Sequence, residues 1–330
     1  MSNILDRIQF RTVATNGVEL RVAITGEGPL VVMVHGWPES WYSWRHQMGP
    51  IADAGYQVAA IDVRGYGGSS KPHAVEAYDM ECLTGDVAGL IPALGHDSAI
   101  LIGHDWGAPI VWNTALLHPT RVSAVSGLSV PYLGPGPAPF IDIVKQVFTA
   151  KGRFFYQVYF QDEGVGEAEL EADIRSGLRR VYYAISGDAP DGTWPTDKPH
   201  GATLLERLPD PDPFPAWLTE TDIDYFVGEF ERSGFRGPLN RYRNHQRDFT
   251  LLNAVPDKRI HQPALYIGGT RDLVLKMLPG KDMVASMKPL MPNLSDAVLL
   301  EGIGHWTQQE APEQVTHLLL NWINSLKKQE

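Results

Sequence analysis

The sequence predicts an α/β fold built on a mostly parallel sheet with helices on both faces. Short apolar segments rich in β-branched residues alternate with amphipathic segments, which is the pattern of strands and helices in such folds. The alternation opens with a hairpin and is interrupted once, by a long helical stretch. These observations predict a sheet-centred core that carries an inserted cap.

Six candidate strands and four candidate helices follow one another in the core. The strands cover residues 30–34, 58–63, 99–103, 122–130, 264–268 and 297–300. The helical patterns cover residues 41–54, 80–94, 108–117 and 313–326. Ahead of them, segments 10–15 and 20–24 flank Asn16-Gly17, a strong hairpin signal. The sheet is therefore expected to open with an antiparallel pair.

The interruption begins just after residue 130, where prolines and glycines lead into a helical, aromatic stretch. We expect residues 1–133 and 250–330 to form the core and residues 134–249 to form the cap. Within the cap, residues 187–215 are rich in Pro, Gly and Asp and predict a long loop. Ligand sites tend to lie at such domain interfaces.

Composition limits the partners. The 330-residue chain is 43% hydrophobic and 20% charged, with a formal net charge of -11. This charge disfavours nucleic acid and anionic membrane surfaces, which bind clustered Lys and Arg, and favours a neutral small molecule. The single cysteine, Cys82, cannot form an internal disulfide, and no apolar run reaches the ~18 residues of a membrane span. A cytoplasmic location is expected.

Asp105 is the candidate nucleophile. It is the centre of Gly-His-Asp-Trp-Gly at 103–107, between a predicted strand and a predicted helix. This is the arrangement of a nucleophile elbow, where small residues two positions on either side avoid collision. The commoner elbow has Ser at its centre, but the chain contains no Gly-x-Ser-x-Gly. The alternative is that Asp105 only caps the following helix.

A carboxylate nucleophile forms an ester with its substrate, so a base must activate water and an acid must orient that base. The chain order nucleophile, acid, histidine is typical of this kind of elbow. Asp272 and His305 follow the last two predicted strands, whereas no acid follows strand 122–130. Asp272 as part of a solvated turn, and His305 as one of eleven ordinary histidines, are the alternatives.

The loop after strand 30–34 is expected to supply one amide of an oxyanion hole, and the residue after the nucleophile the other. These positions are Trp37 and Trp106. Pro38 is a candidate for a cis peptide bond, and His35 is expected to have a structural hydrogen-bonding role.

At this point the chain resembles the soluble epoxide hydrolases of bacterial type. The resemblance lies in residues 35–40, 42–45, 62–69, 103–107, 156–161, 233–244 and 304–306. It covers nearly the whole chain and is weakest over 187–215. It implies the α/β-hydrolase fold, with an eight-stranded, mostly parallel sheet and a helical cap.

In that family two cap tyrosines hydrogen-bond the epoxide oxygen, and the resemblance assigns them to Tyr156 and Tyr242. A phenol with a pKa of ~10 can donate to a developing alkoxide at neutral pH. Tyr159 competes with Tyr156, because several aromatic residues surround both. The substrate pocket is expected to be lined by Trp37, Trp106, Phe155, Phe160 and Trp306.

The predicted function is hydrolysis of a small apolar epoxide by water through an ester on Asp105, giving a vicinal diol. No metal or other cofactor is expected, since no His-Glu-x-x-His, P-loop or Gly-x-Gly-x-x-Gly motif occurs. One alternative is a haloalkane dehalogenase. Those enzymes are similar in fold and nucleophile, but they typically have Asn where this sequence has Trp37, and they lack the paired cap tyrosines. Another is a non-catalytic binding protein of the same fold. The sequence leaves the oligomeric state open, with the cap as a candidate surface for a homodimer.

Overall fold

The computed structural model describes residues 4–277, 280 and 282–327. Eight strands in this part of the chain form one sheet, in the order β1-β2-β4-β3-β5-β6-β7-β8. The strands are β1 (Gln9–Thr15), β2 (Val18–Thr25), β3 (Leu30–Val34), β4 (Gln57–Ile61), β5 (Ala99–His104), β6 (Val122–Leu128), β7 (Ala264–Gly269) and β8 (Leu294–Leu300). Pairs β1–β2 and β2–β4 are antiparallel, and the other pairs are parallel. The predicted α/β fold is confirmed.

The α-helices of the described residues fall into a core set and an inserted set. The core set is α1 (Arg45–Asp53), α2 (Met80–Ala93), α3 (Gly107–Leu117), α11 (Thr307–Glu310) and α12 (Pro312–Leu326). The inserted set, between β6 and β7, is α4 (Phe140–Val147), α5 (Tyr156–Tyr159), α6 (Val165–Ala172), α7 (Ile174–Ala184), α8 (Glu220–Ser233), α9 (Arg236–Asn240) and α10 (His245–Ala254). Short 3₁₀ turns are Ile4–Asp6, Trp41–Trp44, Val75–Tyr78, Pro119–Arg121, Thr149–Lys151, Arg241–Asn244, Val274–Lys276 and Ala285–Met287.

The centre of the sheet is covered on both faces. Every residue of β3, β5 and β7 is buried, as expected for parallel strands between helical layers. Helix α2 packs on α3, and α1 packs on α12. None of the helices that the structure describes is long and apolar enough to cross a membrane.

The predicted hairpin is present, with Asn16 and Gly17 at φ values of 46° and 77°. Both residues therefore adopt the left-handed region that a tight hairpin turn requires. The predicted strand 122–130 ends earlier, at Leu128, because Ser129 has a φ of 67° and ends the extended conformation of the strand. The predicted helix 41–54 begins as a 3₁₀ turn, capped by the Ser40 side chain, and continues as α1.

The predicted long loop of the inserted segment lies between α7 and α8, and the structure gives it no helix or strand. Its buried Lys198 donates hydrogen bonds to the carbonyls of Thr203 (2.7 Å) and Leu204 (2.9 Å). The Lys198 ammonium also lies 4.2 Å from the centroid of the Phe154 ring. The loop is thus held against Phe154, which lies between α4 and α5. The chain ends of the predicted core, residues 1–3 and 328–330, lie outside the described residues.

Candidate active site

Four loops meet at the carboxyl-terminal edge of the parallel strands. Trp37 lies on the loop after β3, Asp105 after β5, Asp272 after β7 and His305 after β8. Because these strands are parallel and lie close together in the sheet, their carboxyl ends bring residues distant in sequence to one place. This edge is the candidate active site.

The turn at Asp105 is sharp. Asp105 has a φ of 48°, in the left-handed region that non-glycine residues rarely adopt. A Cβ at Gly103 would lie 2.2 Å from the Gly107 carbonyl oxygen, and one at Gly107 would lie 2.0 Å from the Val34 carbonyl oxygen. A Cβ at Gly36 would lie 2.4 Å from the Cβ of Asp105. Three glycines therefore let the backbone fold tightly around the Asp105 carboxylate.

His305 lies between two carboxylates. Its Nδ1 is 3.1 Å from both carboxylate oxygens of Asp272, and its Nε2 is 3.3 Å from Oδ2 of Asp105. The Asp272 side chain is fully buried and also accepts the Val274 amide at 2.9 Å. The Asp105 side chain is 15% exposed. Asp272 can therefore hold the imidazole with Nδ1 protonated and Nε2 facing Asp105.

These carboxylates set the charge on His305. Burial by itself would lower the pKa of His305, but Asp272 and Asp105 outweigh burial and raise that pKa well above its ordinary value. The imidazolium is thus favoured while Asp105 is ionised. Loss of the Asp105 charge would remove one of the two stabilising partners.

The loop after β3 holds the second oxygen of Asp105. The Trp37 amide donates to Asp105 Oδ1 at 2.7 Å, and the Trp37–Pro38 peptide bond is cis. His35 accepts the Val63 amide on Nε2 (3.1 Å), and its Nδ1 lies 2.8 Å from the Gly36 carbonyl oxygen. His35 has the structural role that the sequence predicted. Asp105 Oδ2 remains on the side that faces His305.

Two tyrosines of the inserted segment face this site. The rings of Tyr156 and Tyr242 are 5.8 Å apart, and both line a cavity that reaches Asp105. The Gln157 amide donates to the Tyr156 hydroxyl oxygen at 2.8 Å, which leaves the hydroxyl proton free to donate elsewhere. Burial is the largest of the effects that raise the pKa of each tyrosine above its ordinary value. Both phenols are therefore protonated donors at neutral pH.

Tyr159 is turned elsewhere. It packs against Phe154 and Phe160, and Glu169 hydrogen-bonds its hydroxyl. In the described part of the chain it is not in the lining of either cavity at Asp105. Of the two alternatives, the geometry favours Tyr156.

Two cavities meet at Asp105 and Tyr156. One has a volume of about 330 Å³ and extends past Trp106 and Phe140, and the other has about 280 Å³ and extends past Trp37. Apolar side chains form most of both walls, as is usual for small-molecule sites. Among the residues described, no group of three or more His, Cys, Asp or Glu side chains could hold a metal ion.

Comparisons with known proteins show which family and fold this chain resembles. A model of the α/β hydrolase fold family matches residues 29–312. Epoxide hydrolase A of Mycobacterium tuberculosis is 43% identical over 323 residues, covering 96% of this chain and 98% of that protein. The structure of an epoxide hydrolase from an endophytic Streptomyces superposes with a TM-score of 0.92 at 45% identity, covering 97% of this chain and 96% of that one. Epoxide hydrolase A from Mycobacterium thermoresistibile gives a TM-score of 0.90 at 43% identity, covering 96% and 98%.

The chain belongs to the epoxide hydrolase family of the α/β hydrolase fold. The resemblance seen in the sequence motifs is thereby confirmed. Of the three functions that the sequence left open, these relatives support epoxide hydrolysis rather than dehalogenation or binding alone.

The structure brings most of this epoxide hydrolase's predicted site residues together, with one correction. Trp37, Trp106 and Phe155 line the cavities, but Phe160 and Trp306 do not and form a layer behind them. Phe160 is fully buried, with its ring 5.4 Å from Trp37. The Trp306 ring stacks on another aromatic ring, that of Tyr182, and its indole nitrogen donates to the Tyr182 carbonyl at 2.8 Å. The prediction that these two rings line the pocket was wrong.

A buried contact between a glutamate and a histidine behind the site was missed by sequence reasoning. Glu39, fully buried, accepts the Gly36 amide and lies 2.8 Å from Nδ1 of His104. His104 Nε2 lies 2.8 Å from the His305 carbonyl oxygen. Burial by itself would raise the pKa of Glu39, but His104 and the donated hydrogen bonds lower it to about 2. Both residues lie in segments that resemble the epoxide hydrolase family, 35–40 and 103–107. Charged or polar residues directly after apolar strands were the sequence feature that could have pointed to this buried contact.

Proposed function

We propose that the protein converts an epoxide and water into a vicinal diol through a covalent ester on Asp105. The observation that carries the proposal is the position of the Asp105 carboxylate. One oxygen accepts the Trp37 amide at 2.7 Å, and the other lies 3.3 Å from His305 Nε2. This arrangement supports a nucleophile whose ester is hydrolysed by the same histidine.

In the first step Asp105 Oδ2 attacks an epoxide carbon and the carbon–oxygen bond of the ring breaks. The epoxide oxygen gains negative charge and takes the phenolic proton of one of the two cap tyrosines, and the proton that His305 loses on ester formation restores that phenol. Tyr156 and Tyr242 donate hydrogen bonds to that oxygen, which stabilises the transition state where charge develops. Their raised pKa values support this role, because both phenols are protonated when the epoxide binds.

In the second step His305 takes a proton from water, and the resulting hydroxide attacks the ester carbonyl carbon. Ester formation removes the Asp105 charge, so the pKa of His305 falls and the imidazole becomes available as a base. The amides of Trp37 and Trp106 hold the oxyanion. Its collapse releases the diol and restores the Asp105 carboxylate.

The substrate is proposed to be a small apolar epoxide, since apolar side chains form most of both cavity walls. We propose residues 134–249 as the cap that carries the two tyrosines over a core of residues 1–133 and 250–330. The homodimer and the cytoplasmic location stay predictions.

The test compares wild type with Asp105→Asn, using Asp296→Asn, an exposed position on β8, as the matched control. Each protein is mixed with styrene oxide for a short time, diol is quantified and the intact protein mass is measured. Wild type and the control should form diol and carry the ester adduct. Asp105→Asn should carry none and lose at least about 10³-fold in rate. Wild-type diol from Asp105→Asn, or halide from a chloroalkane with no diol, would overturn the proposal.

A further inference from the structure

Glu310, the last residue of α11, accepts hydrogen bonds from three backbone amides. Its Oε2 accepts the amides of Gly187 (2.7 Å) and Gly304 (3.0 Å), and its Oε1 accepts the amide of Trp306 (2.9 Å). Two of these amides belong to the residues on either side of His305. The third belongs to the inserted segment between β6 and β7. The Glu310 carboxylate thus joins the loop after β8, which bears His305, to the inserted segment.

The two backbones that Glu310 joins are in direct contact. The His305 amide donates to the Ile185 carbonyl at 3.0 Å. A Cβ at Gly187 would lie 2.3 Å from the Gly302 carbonyl oxygen, and a Cβ at Gly304 would lie 2.2 Å from the Gly187 amide nitrogen. No side chain fits between the segments, so any shift of the cap backbone moves the loop that bears His305.

The donors around Glu310 favour an ionised carboxylate, because both of its oxygens accept hydrogen bonds from backbone amides. In the described part of the chain Glu310 has hydrogen bonds from three amides and no ion-pair partner. Burial raises the pKa of Glu310, and the amides of Gly304, Gly187 and Trp306 act against that rise. A glutamine in the same place would turn one acceptor into a donor and direct it at a backbone N–H.

We propose that Glu310 is a positioning residue that keeps His305 directed at the ester during the hydrolysis step, by clamping its loop to the cap segment 185–187. The proposal rests on the proposed role of His305 as base. It concerns the second step because Asp105, Tyr156 and Tyr242 carry the first, and Glu310 does not contact them. A displacement of about 1 Å at a reacting group can cost about 100-fold in rate.

The experiment measures both steps in single turnovers of styrene oxide by the full-length protein. Acid-quenched samples are analysed for the ester adduct by intact mass and for diol. Glu310→Gln should slow ester hydrolysis by about tenfold or more and alkylation by less than about threefold, so that ester accumulates. Glu310→Asp keeps the charge one methylene further back and should show a smaller loss of the same step. Glu313→Gln, an exposed glutamate in the first turn of α12, should match wild type.

Equal slowing of both steps in Glu310→Gln would overturn the proposal, because Glu310 would then have only a general structural role. An unchanged rate of ester hydrolysis would also overturn it, because Glu310 would then have no role in that step. If Glu310→Gln does not fold, Glu310→Asp decides by the same ratio of the two rates. Failure of the proposed function is distinct, because wild type itself would then form neither ester nor diol.

Discussion

The imidazole of His305 can act as a base only when it is neutral, and two carboxylates control its protonation. Asp272 and Asp105 raise its pKa against the opposing effect of burial. In the ester the Asp105 charge is gone, so Asp272 becomes the main group that raises the pKa. The rate of ester hydrolysis should therefore fall as the pH drops through the His305 pKa of the ester form.

Asp272→Asn removes this remaining charge and should lower the His305 pKa. The acid limb of the ester-hydrolysis rate should then move to lower pH by about one unit or more, and the plateau rate should fall because the imidazole is less well oriented. The measurement is the decay of the ester adduct in single turnovers from pH 5 to 9. Asp296→Asn, exposed on β8, is the control and should leave the limb in place. If the acid limb stays in place in Asp272→Asn, the Asp272 carboxylate is not the group that raises the His305 pKa in the ester form.

Among individual residues, the sequence predicted those whose position follows from the order of strands and loops along the chain. Asp105 and His305 could be placed because each follows a strand of a parallel sheet in a glycine-flanked loop. Phe160 could not be placed, because no pattern shows on which side of a short helix such as α5 the neighbouring aromatic rings lie. Glu310 was also missed, since it acts through backbone amides of a segment far away in sequence.

The elbow between β5 and α3 depends on glycine at two positions whose side-chain space is already filled. The Cβ of an alanine at Gly107 would meet the Val34 carbonyl oxygen of the neighbouring strand at 2.0 Å. The atom in the way belongs to the backbone of β3, so the strand and helix must move apart. The pattern Gly-x-Asp-x-Gly could be recognised in the sequence because the collision depends on local backbone geometry.

Gly107→Ala should destabilise the fold by about 3 kcal/mol or more, or prevent soluble expression. The matched control is Gly201→Ala, since a Cβ at exposed Gly201 would meet nothing within 4 Å. That variant should stay within about 0.5 kcal/mol of wild type. Urea unfolding followed by circular dichroism compares them, and similar midpoints for the two variants would show that the elbow tolerates a methyl group.

At the scale of the whole molecule, the core and the inserted segment are joined along one face of α8. The residues involved, at positions 222, 225 and 229, have the spacing of a single helix face. The contacts are Asp222 to Arg45 and to the Tyr42 hydroxyl (both 3.0 Å), Tyr225 to Trp41 (2.9 Å) and Glu229 to Arg21 (2.6 Å). The sequence predicted an inserted segment over the sheet but not this face, because partners from distant parts of the chain define it. An inserted segment fixed in this way keeps Tyr156 and Tyr242 above Asp105.

The pair Asp222–Arg45 offers the sharpest test of this attachment, because both side chains are buried. Asp222→Asn leaves the Arg45 guanidinium without its counter-charge and should cost about 3 kcal/mol or more. Asp224→Asn, two residues along α8, breaks an exposed pair with Arg175 and should cost at most about 1 kcal/mol.

Burial would raise the pKa of Asp222, but Arg45 and the donated hydrogen bonds outweigh it and lower that pKa. The stability that Asp222 adds is therefore present above its ordinary pKa and lost as the pH falls through the lowered value. The difference in urea midpoint between Asp222→Asn and Asp224→Asn should be smaller at acid pH than at neutral pH. Equal midpoints for the two variants at neutral pH would contradict a stabilising buried pair between Asp222 and Arg45.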